Sequence, residues 1–241
     1  VATVTLCRPE VLNAQTPQMW MALREYGRAI SGEVRVVVVR GEGRAFSAGL
    51  DLSVAQAPDA DGSLPMMARL SVEEAQARVA TFQEGFSWLR RPDLISIAAV
   101  QGHAIGAGFQ LALACDFRVL ADDAQLTMAE VTLGLVPDLG GIKRLVELVG
   151  YARALEICVT GRRVGSAEAE RIGLANLVIP VEQLAAATGD LTAAVLGGPR
   201  DAVIEIKALV AAAAGRDFAA QEAAERAAQV RRLRDLAGLG E

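Results

Sequence analysis

Two stretches of this sequence place glycine and small residues where backbone amides could do chemistry. The first is GEGRAFSAGLDL, residues 41–52, and the second is GHAIGAGFQLALACD, residues 102–116. Each follows an apolar run and opens towards a helical pattern. A glycine turn at a helix start leaves backbone N–H groups without intrahelical partners, and such groups bind an anion or a developing oxyanion. Neither stretch has the Lys-Ser/Thr pair of a phosphate loop, and Gly102-x-x-x-Gly106-x-Gly108 misses the dinucleotide spacing. A single turn of this kind is a weak signal, because tight strand–helix packing asks for the same residues. Two of them on neighbouring strand ends are better explained as a pair of oxyanion donors.

The other reactive side chains exclude more than they suggest. His103 is the one histidine, so a three-histidine metal site cannot be built within the chain. Cys7, Cys115 and Cys158 are far apart in apolar surroundings, which argues against a disulfide framework or a zinc site and fits a reducing cytosol. Ser47 has no neighbouring base and is not read as a nucleophile.

The elements that must hold these turns follow from periodicity. Residues 1–6 alternate as a strand, and residues 34–40 (VRVVVVR) and 94–100 read as buried strands. Residues 116–121 form another. Helical stripes occupy residues 17–30, 72–89 and 109–115. Residues 55–65, polar and rich in Pro and Gly, read as a mobile loop, and residues 53–65 are expected to border the site. The unit of strand, glycine turn and helix thus occurs twice, about 60 residues apart, which predicts an α/β architecture. Short helices are expected at residues 141–149, 151–160 and 166–173, and a brief strand at 177–180. From residue 181 onward the pattern is helical, broken at Gly197-Gly198-Pro199. The expected division is a core at residues 1–180 and a helical region at 181–241.

Composition narrows the function classes. The 241 residues are 52% hydrophobic, enough for a substantial core, and carry a net charge of −5. Lys143 and Lys207 are the only lysines, and no basic stripe appears, so nucleic acid is not an expected partner. No apolar run is long enough to span a membrane, and residues 1–10 do not read as a secretory leader. A cytoplasmic location is expected.

The segments RPEVLNA (8–14), GRAFSAGLDL (43–52), AAVQGHAIGAGFQLALACDFRV (98–119) and LGLVPDLGGIKRL (133–145) resemble the crotonase superfamily, the enoyl-CoA hydratase/isomerase family. Residues 151–180 continue the resemblance, which covers nearly the whole chain in order. It implies a spiral of strand-strand-helix repeats followed by a C-terminal helical trimerisation region, assembled as a trimer or a hexamer. The implied substrate is an acyl-CoA thioester, with coenzyme A arriving as part of it and no metal or other cofactor.

The resemblance also assigns roles. The thioester carbonyl would be held by the N–H groups of Leu50 and Ala107. Ala48, Gly49, Asp51, Gly106 and Gly108 would belong to the substrate-binding turns, and Arg8 is a candidate for the CoA phosphates. Removing a proton beside a thioester, or adding water across a conjugated alkene, puts negative charge on that carbonyl oxygen. Each preorganised donor can lower the barrier by about 2.7–4 kcal/mol.

Hydratases of the family carry two glutamates. Here the first position is Gln110, which cannot exchange a proton, and the second is Glu130. Asp138 stands where hydratases commonly have glycine and where dienoyl-CoA isomerases and certain dehalogenases have an acid. One carboxylate suffices for a simple enoyl-CoA isomerase, so double-bond isomerisation is the preferred reaction, with hydration of a 2-enoyl-CoA or an inactive acyl-CoA-binding scaffold as alternatives. Restoring the acid with Gln110→Glu is expected to raise hydration. Outside that resemblance, Glu130 reads as a helix-start or surface charge and Asp138 as an N-cap. Gln110 could orient water, bond the substrate or fill space. His103 reads as structural, and Asp116 as a turn or structural acceptor.

Overall fold

The computed structural model describes residues 1–239. Residues 240 and 241, the end of the expected helical region, lie outside the described residues. The chain begins with strand β1 (Ala2–Leu6), helix α1 (Pro17–Ala29) and strand β2 (Val36–Gly41). Short helices α2 (Leu52–Ala55) and α3 (Leu64–Met67) follow, then the long α4 (Val72–Ser87). Next come β3 (Ile95–Val100), β4 (His103–Ile105), α5 (Ala107–Ala114), β5 (Phe117–Ala121) and β6 (Gln125–Thr127). After a turn of 3-10 helix at Glu130–Leu133 the chain forms α6 (Gly141–Val149), α7 (Tyr151–Thr160), β7 (Arg163–Gly165), α8 (Ser166–Arg171) and β8 (Leu177–Ile179). Helices α9 (Leu184–Gly197), α10 (Arg200–Ala213) and α11 (Phe218–Leu236) complete the described chain.

Five strands pair in the order β1-β2-β3-β5-β8, all parallel. Strands buried on both faces need continuous apolar sequence, and β3 (ISIAAV) is buried at every residue. One face packs Trp20, Phe82 and Phe86 of α1 and α4 with Phe109, Leu111 and Leu113 of α5. The other face, with Val36, Ile97 and Val119, is covered by Leu184, Leu191 and Val195 of α9. The core therefore reaches past residue 181, and it is α10 and α11 that carry few buried residues.

A second sheet, β4-β6-β7, stands beside the first. Its strands are three residues each, HAI, QLT and RVG, and the first lies within the expected glycine turn. β4 pairs parallel to β6, and β6 antiparallel to β7. The expected mobile loop at residues 55–65 also contains structure. α3 starts there with Ser63 accepting from Met66 N at 3.3 Å, and Arg69 and Arg78 pair with Asp59 and Asp61.

Two buried polar residues hold this frame together. Asn13 Oδ1 accepts from Arg8 N at 2.8 Å, while its Nδ2 donates to the carbonyls of Glu42 and Ala45, both at 2.8 Å. Arg118, 1% exposed, donates to the carbonyls of Leu174 (2.6 Å) and Cys115 (2.8 Å). Neither role was visible in the sequence. Among the described residues no helix is long and apolar enough to cross a membrane.

Candidate active site

The two glycine turns meet through a short parallel bridge between Ser47 and Ala104. Ser47 N donates to His103 O at 2.8 Å, and Ile105 N donates to Ser47 O at 3.0 Å. The Ser47 hydroxyl is used up in the same junction. It donates to Asn13 O at 2.9 Å and accepts from Gly49 N at 3.2 Å and Gln15 Nε2 at 3.1 Å. His103 contributes its backbone to the junction, as a structural residue would.

A second bridge orients Leu50. Gln15 N donates to Gly49 O at 2.6 Å and Asp51 N donates to Gln15 O at 2.8 Å. In a parallel bridge the middle residue then points its own N–H to the other side. Among the described residues no hydrogen bond takes up the Leu50 N–H. Gly49 has φ +85°, and a Cβ there would run into the Ile105 carbonyl while lying 3.6 Å from Ala107 N. Only glycine permits that approach. Ala107 is the first residue of α5, after Gly106 as N-cap. The first intrahelical bond comes later, from Gln110 N to Gly106 O at 2.9 Å, so the Ala107 N–H has no partner in its helix.

Leu50 and Ala107 both line a cleft of about 380 Å³. Its walls are mainly apolar and include Trp20, Leu52, Leu64, Met67, Val79 and Phe82. Polar side chains are few, and three of them are Gln110, Glu130 and Asp138. Ala55, Gly62 and Leu64 of the expected bordering loop do line the cleft. A larger groove of about 650 Å³ crosses β1 and α9, but it contains neither donor N–H and none of these three side chains. The chemistry belongs to the smaller cleft.

Glu130 opens the 3-10 turn at the cleft wall. Burial pushes its carboxyl above the usual range and the charge of Asp138 adds to this, while the hydrogen bond from Gln110 pulls it down. Gln110 Nε2 donates to Glu130 Oε1 at 2.7 Å. Glu130 Oε2 is buried without a hydrogen-bond partner among the described residues. Asp138 is open to solvent through the cleft, yet the surrounding protein strips enough water from its carboxyl to push it up too. It is not an N-cap: α6 begins after Gly140, and no side chain caps it.

The remaining expected site residues divide. Ala48, Gly49 and Gly106 line the cleft. Gly108 instead packs against Ser47, where a Cβ would not fit. Asp51 caps α2 by accepting from Ser53 N at 3.1 Å, and it pairs with Arg8 at 2.9 Å. Arg8 also donates to Ala14 O at 2.7 Å. Both are therefore engaged in shaping the first turn. Asp116 is a structural acceptor for Ser96 N (2.8 Å) and Lys207 Nζ (2.7 Å).

A family model described as Enoyl-CoA hydratase/isomerase matches residues 1–235. The chain belongs to the enoyl-CoA hydratase/isomerase family. A probable enoyl-CoA hydratase of Rhizobium meliloti is 35% identical over 187 residues, 76% of this chain and 67% of that protein. The probable enoyl-CoA hydratase echA12 of Mycobacterium tuberculosis is 37% identical over 207 residues, covering 84% and 70%. A crystal structure from Thermobifida fusca YX, designated "a putative enoyl-CoA hydratase" and in complex with CoA, superposes with a TM-score of 0.93. It is 48% identical, covering 98% of this chain and 90% of that one. The same designation with acetoacetyl-CoA bound gives 0.92 at 48% identity, covering 97% and 91%. The α/β crotonase fold implied by the sequence is thus the fold of this family member.

Proposed function

We propose that this chain binds an enoyl-CoA thioester with its carbonyl between the N–H groups of Leu50 and Ala107, and shifts the carbon–carbon double bond by proton transfer through Glu130. In a 3-enoyl-CoA the Glu130 carboxylate takes a proton from C2. The electron pair moves into the thioester, giving a dienolate whose oxyanion accepts from both N–H groups. The same carboxyl returns the proton to C4, leaving the 2-enoyl-CoA. Coenzyme A enters and leaves with the substrate, and the chemistry asks for no metal or other cofactor.

The observation that carries this reading is the side chain at position 110. Where a second proton carrier would stand, the cleft holds an amide engaged by protein on both sides. A second reading, hydration of a 2-enoyl-CoA, is favoured by the names of the relatives and by Asp138 as another carboxyl on the cleft. Rates on matched 3-enoyl and 2-enoyl thioesters separate the two. Isomerisation should be the faster. Faster hydration would transfer the conclusion to the second reading, and loss of neither thioester would leave a binding scaffold.

The proposal extends to assembly in the cytosol as a homotrimer or hexamer. Ile206, Val210, Phe218 and Leu236 of α10 and α11 are 59%, 70%, 89% and 85% exposed, more apolar surface than two surface helices of a monomer would leave in water. Light scattering at micromolar concentration tests it, and a monomeric mass would contradict it.

A further inference from the structure

We propose that Gln110 is the positioning residue of this cleft, a neutral cross-link that fixes one oxygen of Glu130 together with the loop bearing Asp138 and so makes Glu130 Oε2 the proton-carrying atom. This rests on the reading of Glu130 as the proton carrier.

Gln110 lies in the first turn of α5 and is 1% exposed. Its Oε1 accepts from Leu139 N at 2.9 Å and from Gly141 N at 3.2 Å. An amide oxygen has two lone pairs, and both are used. Turning the amide over would set its NH2 against two buried N–H donors. The orientation is therefore determined, and Nε2 must donate, which it does to Glu130 Oε1 at 2.7 Å. With Oε1 tied down, Oε2 is the oxygen left without a partner.

The other end of the cross-link acts on Asp138. Leu139 is its neighbour in sequence, and the Asp138 carbonyl is itself held by Gln83 Nε2 at 2.6 Å. The backbone is pinned on both sides of the Asp138 side chain. Gly141 lets Gln110 come this close, since a Cβ there would stand 2.8 Å from Gln110 Cγ. A carboxylate at 110 could accept the same two N–H bonds. It would also bring a third negative charge to a site where Asp138 already raises Glu130. The amide performs the positioning without that repulsion. The titratable groups whose fields couple to Glu130 are Asp138 and, from α7, the thiol of Cys158.

The test uses the full chain with Gln110→Met, which keeps length and loses every hydrogen bond, and Gln110→Glu, which keeps the bonds from Leu139 and Gly141. Two readouts apply: kcat and KM on a 3-enoyl-CoA across pH, and carboxylate 13C NMR titration of Glu130 without substrate, its signal assigned by loss in Glu130→Gln. For Gln110→Met we expect kcat to fall by about 10-fold or more with KM within about 3-fold. The Glu130 titration and the acid limb of kcat/KM should move together to higher pH, because a bond favouring the ionised form is gone. In Gln110→Glu the facing carboxyls should titrate in two steps. A folded Gln110→Met with unchanged kcat and unchanged Glu130 titration overturns the proposal. If that variant does not fold, Gln110→Glu decides, and a single unaltered Glu130 titration overturns it. A wild type that turns over neither thioester refutes the proposed reaction, while the NMR titration still judges Gln110.

Discussion

Gln110 Nε2 and Glu130 Oε1 are 2.7 Å apart, and the second oxygen of Glu130 is buried with no partner among the described residues. Half of this carboxylate is anchored and half has no hydrogen-bond partner among the described residues. A substitution can therefore remove its proton chemistry while leaving its anchor. In Glu130→Gln the new carbonyl oxygen can still accept from Gln110. Turnover should fall by at least about 10²-fold, the scale of general acid–base catalysis. Affinity for acyl-CoA, measured by calorimetry, should be kept. Near-full activity would remove Glu130 from the mechanism.

The same substitution should make the protein more stable at neutral pH. Burial, with Asp138 nearby, raises the Glu130 carboxyl in the folded chain. Between the unfolded value of about 4 and that raised value, the folded chain binds more protons than the unfolded one. Stability therefore falls as pH rises through this window, and the cost is fully present above it. Glu130→Gln should raise Tm most at high pH, with the gain shrinking as pH drops towards the unfolded value. Asp138→Asn should follow the same trend more weakly, since the surrounding protein raises that carboxyl while the residue stays exposed. Thermal denaturation over a pH series checks this, and a gain independent of pH would exclude ionisation as its source.

Ala107→Pro should isolate one oxyanion donor. Ala107 is the first residue of α5, where proline is tolerated because that N–H has no helical partner. The substitution removes the N–H and sets the proline ring carbon in its place, so the donor is lost and the carbonyl's approach is narrowed as well. A loss of about 10²–10³ in kcat is expected, the effect of deleting one such donor. Circular dichroism should show the helices intact, and unchanged turnover would mean that the carbonyl sits elsewhere.

Lys207→Met should loosen α10 from the core. Lys207 Nζ donates to Leu94 O and Asp116 Oδ2, each at 2.7 Å, and the two paired side chains are 9% and 18% exposed. Breaking a buried pair from one side costs about 3–5 kcal/mol. The lower end applies, because Ser96 still donates to Asp116. Urea unfolding should report about 3 kcal/mol, and a change below about 1 kcal/mol would mean that water replaces the pair.

Long apolar runs with a clear period were legible in the sequence. The helix expected at residues 17–30 is Pro17–Ala29, and the strands expected at 34–40 and 94–100 are Val36–Gly41 and Ile95–Val100. The break at residues 197–199 separates α9 from α10. The small sheet was not legible, because three residues cannot show an alternation and its pairings join distant segments. The start of α5 was set two residues late, since Gly106 and Gly108 hide a helix that begins at Ala107. At the cleft, the types of Glu130, Asp138 and Gln110 could be read, but not the fixed amide orientation. That depends on where Leu139 N and Gly141 N end up, which no spacing reveals.

The bridge between Ser47 and Ala104 also governs when a working site can arise. It closes a long stretch of chain, and contacts of that kind carry a loop-closure entropy that local helices escape. Before closure, a folding chain can already own its helices and much of its apolar cleft wall. The Leu50 and Ala107 amides then point nowhere in common. Closure aims both at once, so recovery of activity should lag behind recovery of helix in refolding.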